Sequence, residues 1–215
     1  MTIPAKVVVS GGFGAGKTTL VGAVSEIKPL KTEETLTVAG IGTDSLVGIE
    51  RKTQTTVAMD FGRITIPLSS RTVRELRYGG RAHVQLMLFG TPGQDRFWFM
   101  WDDLVEGAIG AVVLTDTRRL ADCFAAVEYF ERRRTPFLVA INRFDGAHLY
   151  TEDEVRAALQ LDPQIPVVSC DARQKASVRQ VLISLIEHVR ERTRNSPTRP
   201  PLTDVCLGET PNAHL

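Results

Sequence analysis

The sequence has few cysteines, no long apolar run and no excess of either charge, and each shortage removes a class of function. Cys123, Cys170 and Cys206 are the only three cysteines in 215 residues. An odd number at wide spacing supports neither a disulfide framework nor a metal-ligand pattern, and it fits a reducing compartment. No stretch approaches the 18 apolar residues of a membrane-crossing helix. The opening MTIPAKVVVS also lacks the apolar segment of a secretory leader. A soluble cytoplasmic protein is the expectation. Lys plus Arg, 26, against Asp plus Glu, 25, leaves a formal charge of +1. That balance excludes a nucleic-acid binder driven by bulk charge, though not a local basic patch. What remains is ordinary globular material, 43% apolar and 24% charged. At roughly 150 residues per domain the length predicts one domain with a tail.

Short apolar runs alternate with amphipathic stretches, the pattern of βαβ units and a mostly parallel sheet. Strands are predicted at Lys6 to Ser10, Thr55 to Ile66, His83 to Phe89, Ala108 to Thr115, Phe137 to Ile141 and Val167 to Ser169. The second and third of these read as an antiparallel pair. Helices are predicted at Lys17 to Ile27, Leu120 to Arg133, Glu152 to Leu161 and Ser177 to Arg192. Residues 28–54 read as a long loop, and Pro67 to Arg81 as an elongated hairpin connection. The expected architecture is an α/β P-loop NTPase domain over residues 1–193. It would have six strands, one of them antiparallel, with helices on both faces. Pro197, Pro200, Pro201 and Pro211 break up residues 194–215, so a disordered tail is expected there.

The strongest motif is Gly11-Gly12-Phe13-Gly14-Ala15-Gly16-Lys17-Thr18, which fills every fixed position of GxxxxGK[ST] between a strand and a helix. Glycines let consecutive backbone N–H groups converge on phosphate oxygens without Cβ obstruction. The helix that follows, with Thr19 in its first turn, presents its positive end to the same anion. Lys17 reaches the terminal phosphates, and the Thr18 hydroxyl is placed to ligate Mg²⁺. A glycine-rich turn without function is the bland alternative, and the complete pattern in its proper context argues against it. A nucleoside triphosphate site is expected.

Asn142-Arg143-Phe144-Asp145 follows the fifth predicted strand, 125 residues beyond Lys17. A buried carboxylate there accepts two hydrogen bonds from guanine and would be left unpaired by adenine. Asn142 would brace this loop against the phosphate loop, and the stem of Arg143 would cover the base. After the next strand, Asp171-Ala172-Arg173 offers a small residue whose N–H could approach the guanine carbonyl. Judged alone, that segment is equally an ordinary strand-to-helix loop.

With these segments in view the chain resembles the Ras-like small GTPases over about residues 5–193. Asn142–Asp145 and Asp171–Arg173 are similar to that family's base-binding motifs, with Arg in place of Lys in both. The segment Phe89-Gly90-Thr91-Pro92-Gly93-Gln94-Asp95-Arg96-Phe97-Trp98-Phe99-Met100-Trp101 is most similar to the bacterial MglA-type branch and its actinobacterial conservon members. The resemblance implies a GTP/GDP switch with Mg²⁺. Its implied partners are a roadblock-fold regulator and a sensor-kinase-like protein, with indirect recruitment to the inner face of the membrane. It also implies that Thr56 closes over Mg²⁺ and the γ-phosphate, with Thr53 and Thr55 as competitors, and that Gly93 and Gln94 orient the attacking water.

Three departures bear on hydrolysis. Gly90 stands where the family has an Mg²⁺-supporting aspartate, and Asp60 on the neighbouring strand is a candidate replacement. Phe13 is a bulky ring beside the γ-phosphate position. Arg51 is either an arginine acting in cis or an exposed loop residue. Slow intrinsic turnover is therefore expected, with a nucleotide-dependent interaction module lacking useful hydrolysis as the alternative. A phosphoryl-transferring kinase would need Arg71, Arg74, Arg77 and Arg81 as a lid, which their position between two strands argues against. His83, His148, His188 and His214 form no cluster, so no metal beyond Mg²⁺ is implied. The run Phe97-Trp98-Phe99-Met100-Trp101 cannot all face one core, because consecutive helical residues point about 100° apart. It reads as a partner surface, against the alternative of three core residues and two partly covered ones. Arg118-Arg119 and Arg132 to Arg134 read as solvated helix ends.

Overall fold

The structure is a computed structural model, and it describes residues 2–36, 55–67, 83–93 and 100–195. Its strands are β1 (Thr2–Ser10), β2 (Leu30–Leu36), β3 (Thr55–Pro67), β4 (His83–Gly90), β5 (Ala108–Thr115), β6 (Phe137–Asn142) and β7 (Val167–Cys170). Its α-helices are α1 (Lys17–Val24), α2 (Trp101–Val105), α3 (Phe124–Arg132), α4 (Glu152–Ala158) and α5 (Lys175–Asn195). A 3₁₀ stretch, Thr117–Cys123, leads into α3 and kinks at Arg119.

The described strands form one sheet in the order β2-β3-β4-β1-β5-β6-β7. β3 runs antiparallel to both β2 and β4, and the other pairings are parallel. The expected fold class is what the chain forms, a mostly parallel sheet with one reversed strand and helices on both faces. The seventh strand is β2, which falls in the segment read as loop. Its sequence, LKTEETL, carries charge where alternation would be sought, as edge strands often do.

β5 and β6 are continuous apolar runs because both of their faces are covered. On one face Val7, Val9, Leu88, Leu114 and Leu138 pack against α1 and α5. On the other, Val8, Val113, Val139 and Phe137 pack against α2, α3 and α4. Each fully buried aliphatic or Phe side chain contributes about 1.5–3 kcal/mol. β1 lies at the centre, where the chain order reverses between β4 and β5. Ligands of open α/β sheets bind outside the carboxyl ends of the strands at such a switch point. Among the described residues no helix is long and apolar enough to cross a membrane.

Trp101 does not belong to an exposed aromatic surface. It is 3% exposed and packs edge-on against Tyr129 at 5.1 Å, with Phe130 stacked at 6.2 Å. Met100 is half-buried, and Phe97, Trp98 and Phe99 lie outside the described residues. The core role of Trp101 predicts that Trp101→Ala lowers the unfolding free energy by about 3–5 kcal/mol in urea titrations. A negligible loss would remove it from the core.

His188 on α5 is 6% exposed, and its Nε2 has no hydrogen-bond partner among the described residues. Burial, then the charge of Arg192, holds its pKa below the ordinary 6.5, while Glu191 works the other way. The folded chain thus binds its proton less readily than the unfolded chain. This stability is complete above pH 6.5 and falls as pH drops below it. Urea midpoints of wild type should decline between about pH 7 and 5.5, and His188→Leu should flatten that decline.

Candidate nucleotide site

The phosphate loop leaves β1 at Gly11 and enters α1 at Gly16. Gly11 has φ +140°, and a Cβ there would meet the Leu114 carbonyl oxygen at 2.1 Å. Gly16 caps α1 with φ +103° and offers no side chain to its first N–H groups. A helix start without a side-chain cap suits an anion. Phe13, Gly14, Thr18 and Thr19 are exposed, while Gly12 and Ala15 are buried. The Phe13 side chain is 63% exposed.

Lys17 is 8% exposed. Its ammonium donates to the carbonyls of Gly11 at 2.7 Å and Gly12 at 2.8 Å. Burial pulls its pKa down to about 8, against the opposing charge of Asp60. Thr18 Oγ1 donates to Asp60 Oδ2 at 2.6 Å. Gly93 lies directly against this group, for a Cβ there would stand 2.7 Å from Lys17 Nζ and 3.0 Å from Phe13 Cα. The structure therefore brings the predicted glycine of the water-orienting pair onto the phosphate loop. Gln94 and Arg51 lie outside the described residues. Thr56 sits within β3, opposite Thr35, and Thr53 is outside the described residues.

Asn142 does what the sequence predicts of it. Its Nδ2 donates to the Ala15 carbonyl at 2.9 Å, and its Oδ1 accepts from Ala172 N–H at 3.0 Å. Gly16 permits this approach, since a Cβ there would stand 2.6 Å from Asn142 Nδ2. The same bond corrects the expectation for Ala172, whose N–H is held by Asn142 and not presented to a base.

Asp145 also departs from expectation. Its side chain is 86% exposed and accepts two bonds from Arg173, at 2.7 and 3.2 Å. Arg173 bonds Asp171 as well, at 3.0 and 3.1 Å. These bonds hold Asp145 below the usual carboxylate range and bring Asp171 down to about 2. Arg143 is exposed. An already paired, solvated carboxylate penalises adenine far less than a buried, unpaired one would.

Two further groups had no motif to announce them. The Arg118 guanidinium clamps Asp116 at 2.9 and 2.7 Å and stacks 3.9 Å above the Phe144 ring, so it is not a free helix end. Asp122, paired with Arg119 at 2.7 Å, packs against Gly12, where a Cβ would stand 2.5 Å from its own Cβ. The kinked turn through Arg119 is what sets these carboxylates beside the two loops, and one sequence carries no signal of such a kink.

Magnesium suits this oxygen set. The Thr18 hydroxyl and the Asp60 carboxylate are hard donors that meet at the start of α1, the kind of partial shell Mg²⁺ completes with phosphates and water. Among the described residues there is no group of three or more His, Cys, Asp or Glu that could hold another ion.

A family described as a conserved hypothetical ATP binding protein matches residues 9–192. The chain belongs to this family. Membership corrects the resemblance to the Ras-like, MglA-type and conservon GTPases. The motifs behind that resemblance specify a physical task, cradling phosphates and bracing a base loop, and do not by themselves separate families that share it. At the level the family supports, the chain is a nucleotide-binding protein. No curated protein matches it.

The Asn142 brace predicts that Asn142→Ala, which frees the Ala15 carbonyl and the Ala172 N–H together, weakens nucleotide binding by about tenfold or more. Isothermal titration checks this, and a lowered melting temperature of the nucleotide-free chain should accompany it.

Proposed function

We propose that the chain is a nucleotide-dependent switch that binds a purine nucleoside triphosphate with Mg²⁺, prefers guanine by a modest margin and hydrolyses the γ-phosphate slowly. The observation that supports it best is Gly93, seated against the lysine that reaches the terminal phosphates. A glycine there would contact the γ-phosphate in one nucleotide state and not in the other.

In this reading the N–H groups at the start of α1 and Lys17 bind the phosphates. Thr18 would hold the metal, which would neutralise charge on the phosphate oxygens. Gln94, next to Gly93, orients water. In this reading turnover is slow because the exposed Phe13 ring would hinder the approach of a partner's arginine to the phosphates. Such an arginine supplies a factor of about 10³–10⁵ elsewhere.

Guanine preference rests on Asp145, three residues after the bracing Asn142. Since Arg173 already satisfies that carboxylate, an exchange of partners is involved, and the expected margin for GTP over ATP is about tenfold. The same pairing favours a second reading, in which adenine binds equally well because it leaves no acceptor unpaired. Competition between GTP and ATP separates the two. A guanine margin abolished by Asp145→Asn supports the first reading, and equal affinities support the second. A single-turnover assay with γ-labelled nucleotide should give a slow but measurable rate, whereas none at all would leave a binding module.

A further inference from the structure

Asp60 and Gly90 face one another across the antiparallel pair β3–β4. Opposed residues in such a pair project to the same side of the sheet, so a carboxylate at either position serves the same place. Only one of them fits. A Cβ on residue 90 would stand 3.1 Å from Asp60 Cβ and 3.2 Å from Asp60 Oδ2. The side chain of Asp60 thus lies over the position that a residue-90 side chain would use. Asp60 is 9% exposed, and its Oδ2 accepts from the hydroxyl of Thr18 in the first turn of α1, 42 residues away in sequence.

We propose that Asp60 is the carboxylate that supports the nucleotide's magnesium ion beside Thr18, supplied by β3 because glycine occupies position 90 of β4. The assignment rests on the nucleotide-binding reading above and adds to it the origin of the acidic group. Mg²⁺ keeps most of its water and is held through few protein oxygens. A carboxylate beside the threonine hydroxyl therefore accounts for much of what the protein contributes to the ion. The competing role for Asp60 is structural, as an acceptor for Thr18 and a countercharge for Lys17. That role would act whether or not metal is present.

The test is nucleotide affinity measured with Mg²⁺ and with EDTA, on the full chain, using GDP and GTP. Wild type should bind more tightly with Mg²⁺. Asp60→Asn keeps an oxygen for Thr18, and it should cut that gain by about tenfold or more while leaving affinity in EDTA near wild type. Gly90→Ala crowds Asp60 without removing it and should reduce the gain partially. The exchange Asp60→Gly with Gly90→Asp should restore it. Mn²⁺ bound with GDP should show altered electron paramagnetic resonance in Asp60→Asn. Loss of affinity in EDTA equal to the loss with Mg²⁺, or an undiminished Mg²⁺ gain in both Asp60→Asn and Gly90→Ala, overturns the assignment and leaves nucleotide binding intact. Absence of any wild-type nucleotide binding overturns both.

Discussion

The amide of Asn142 joins three parts of the chain beside the site. One end holds the Ala15 carbonyl of the phosphate loop and the other holds the Ala172 N–H beyond β7. Asn142 itself ends β6, whose six residues are buried throughout. The strand supplies rigidity, and the amide extends it to the two loops. Donor and acceptor are both used, so the group costs nothing in unpaired polarity despite its burial. The glycines of the phosphate loop follow from this constraint as much as from the phosphates. Gly16 is small for Asn142 as well as for the anion.

Much of this was legible in the sequence, and the reasons are specific. β5, β6 and the Val7–Val9 stretch of β1 are apolar runs because both faces are covered, so they stand out without an alternation to count. The phosphate loop announces itself because a backbone that must approach an anion tolerates few residue types. Asn142 was legible through its distance from that loop and its place at a strand end. β2 was not, because an edge strand with LKTEETL pairs through its backbone and presents no apolar face to read.

The base side illustrates a different limit. Asp145 was foreseen at the right place with the wrong surroundings. Its partner Arg173 lies 28 residues on, and whether two such groups meet depends on loop geometry that spacing does not encode. Arg118 is a parallel case, since its stacking on Phe144 requires the ends of β5 and β6 to be neighbours. Trp101 shows the reverse, where an aromatic cluster suggests a surface and the fold consumes its last member as core. The resemblance to the Ras-like GTPases has a related cause, since residues chosen by phosphate chemistry are shared more widely than any one lineage.

The self-bonded state of Lys17 carries a consequence for binding. Its ammonium is tied to the carbonyls of Gly11 and Gly12, and burial pulls its pKa down to about 8. A phosphate brought to this nitrogen would add negative charge beside it and strengthen its hold on the proton. In this chain the nucleotide would therefore replace a contact that the loop makes with itself, and proton uptake would accompany the exchange.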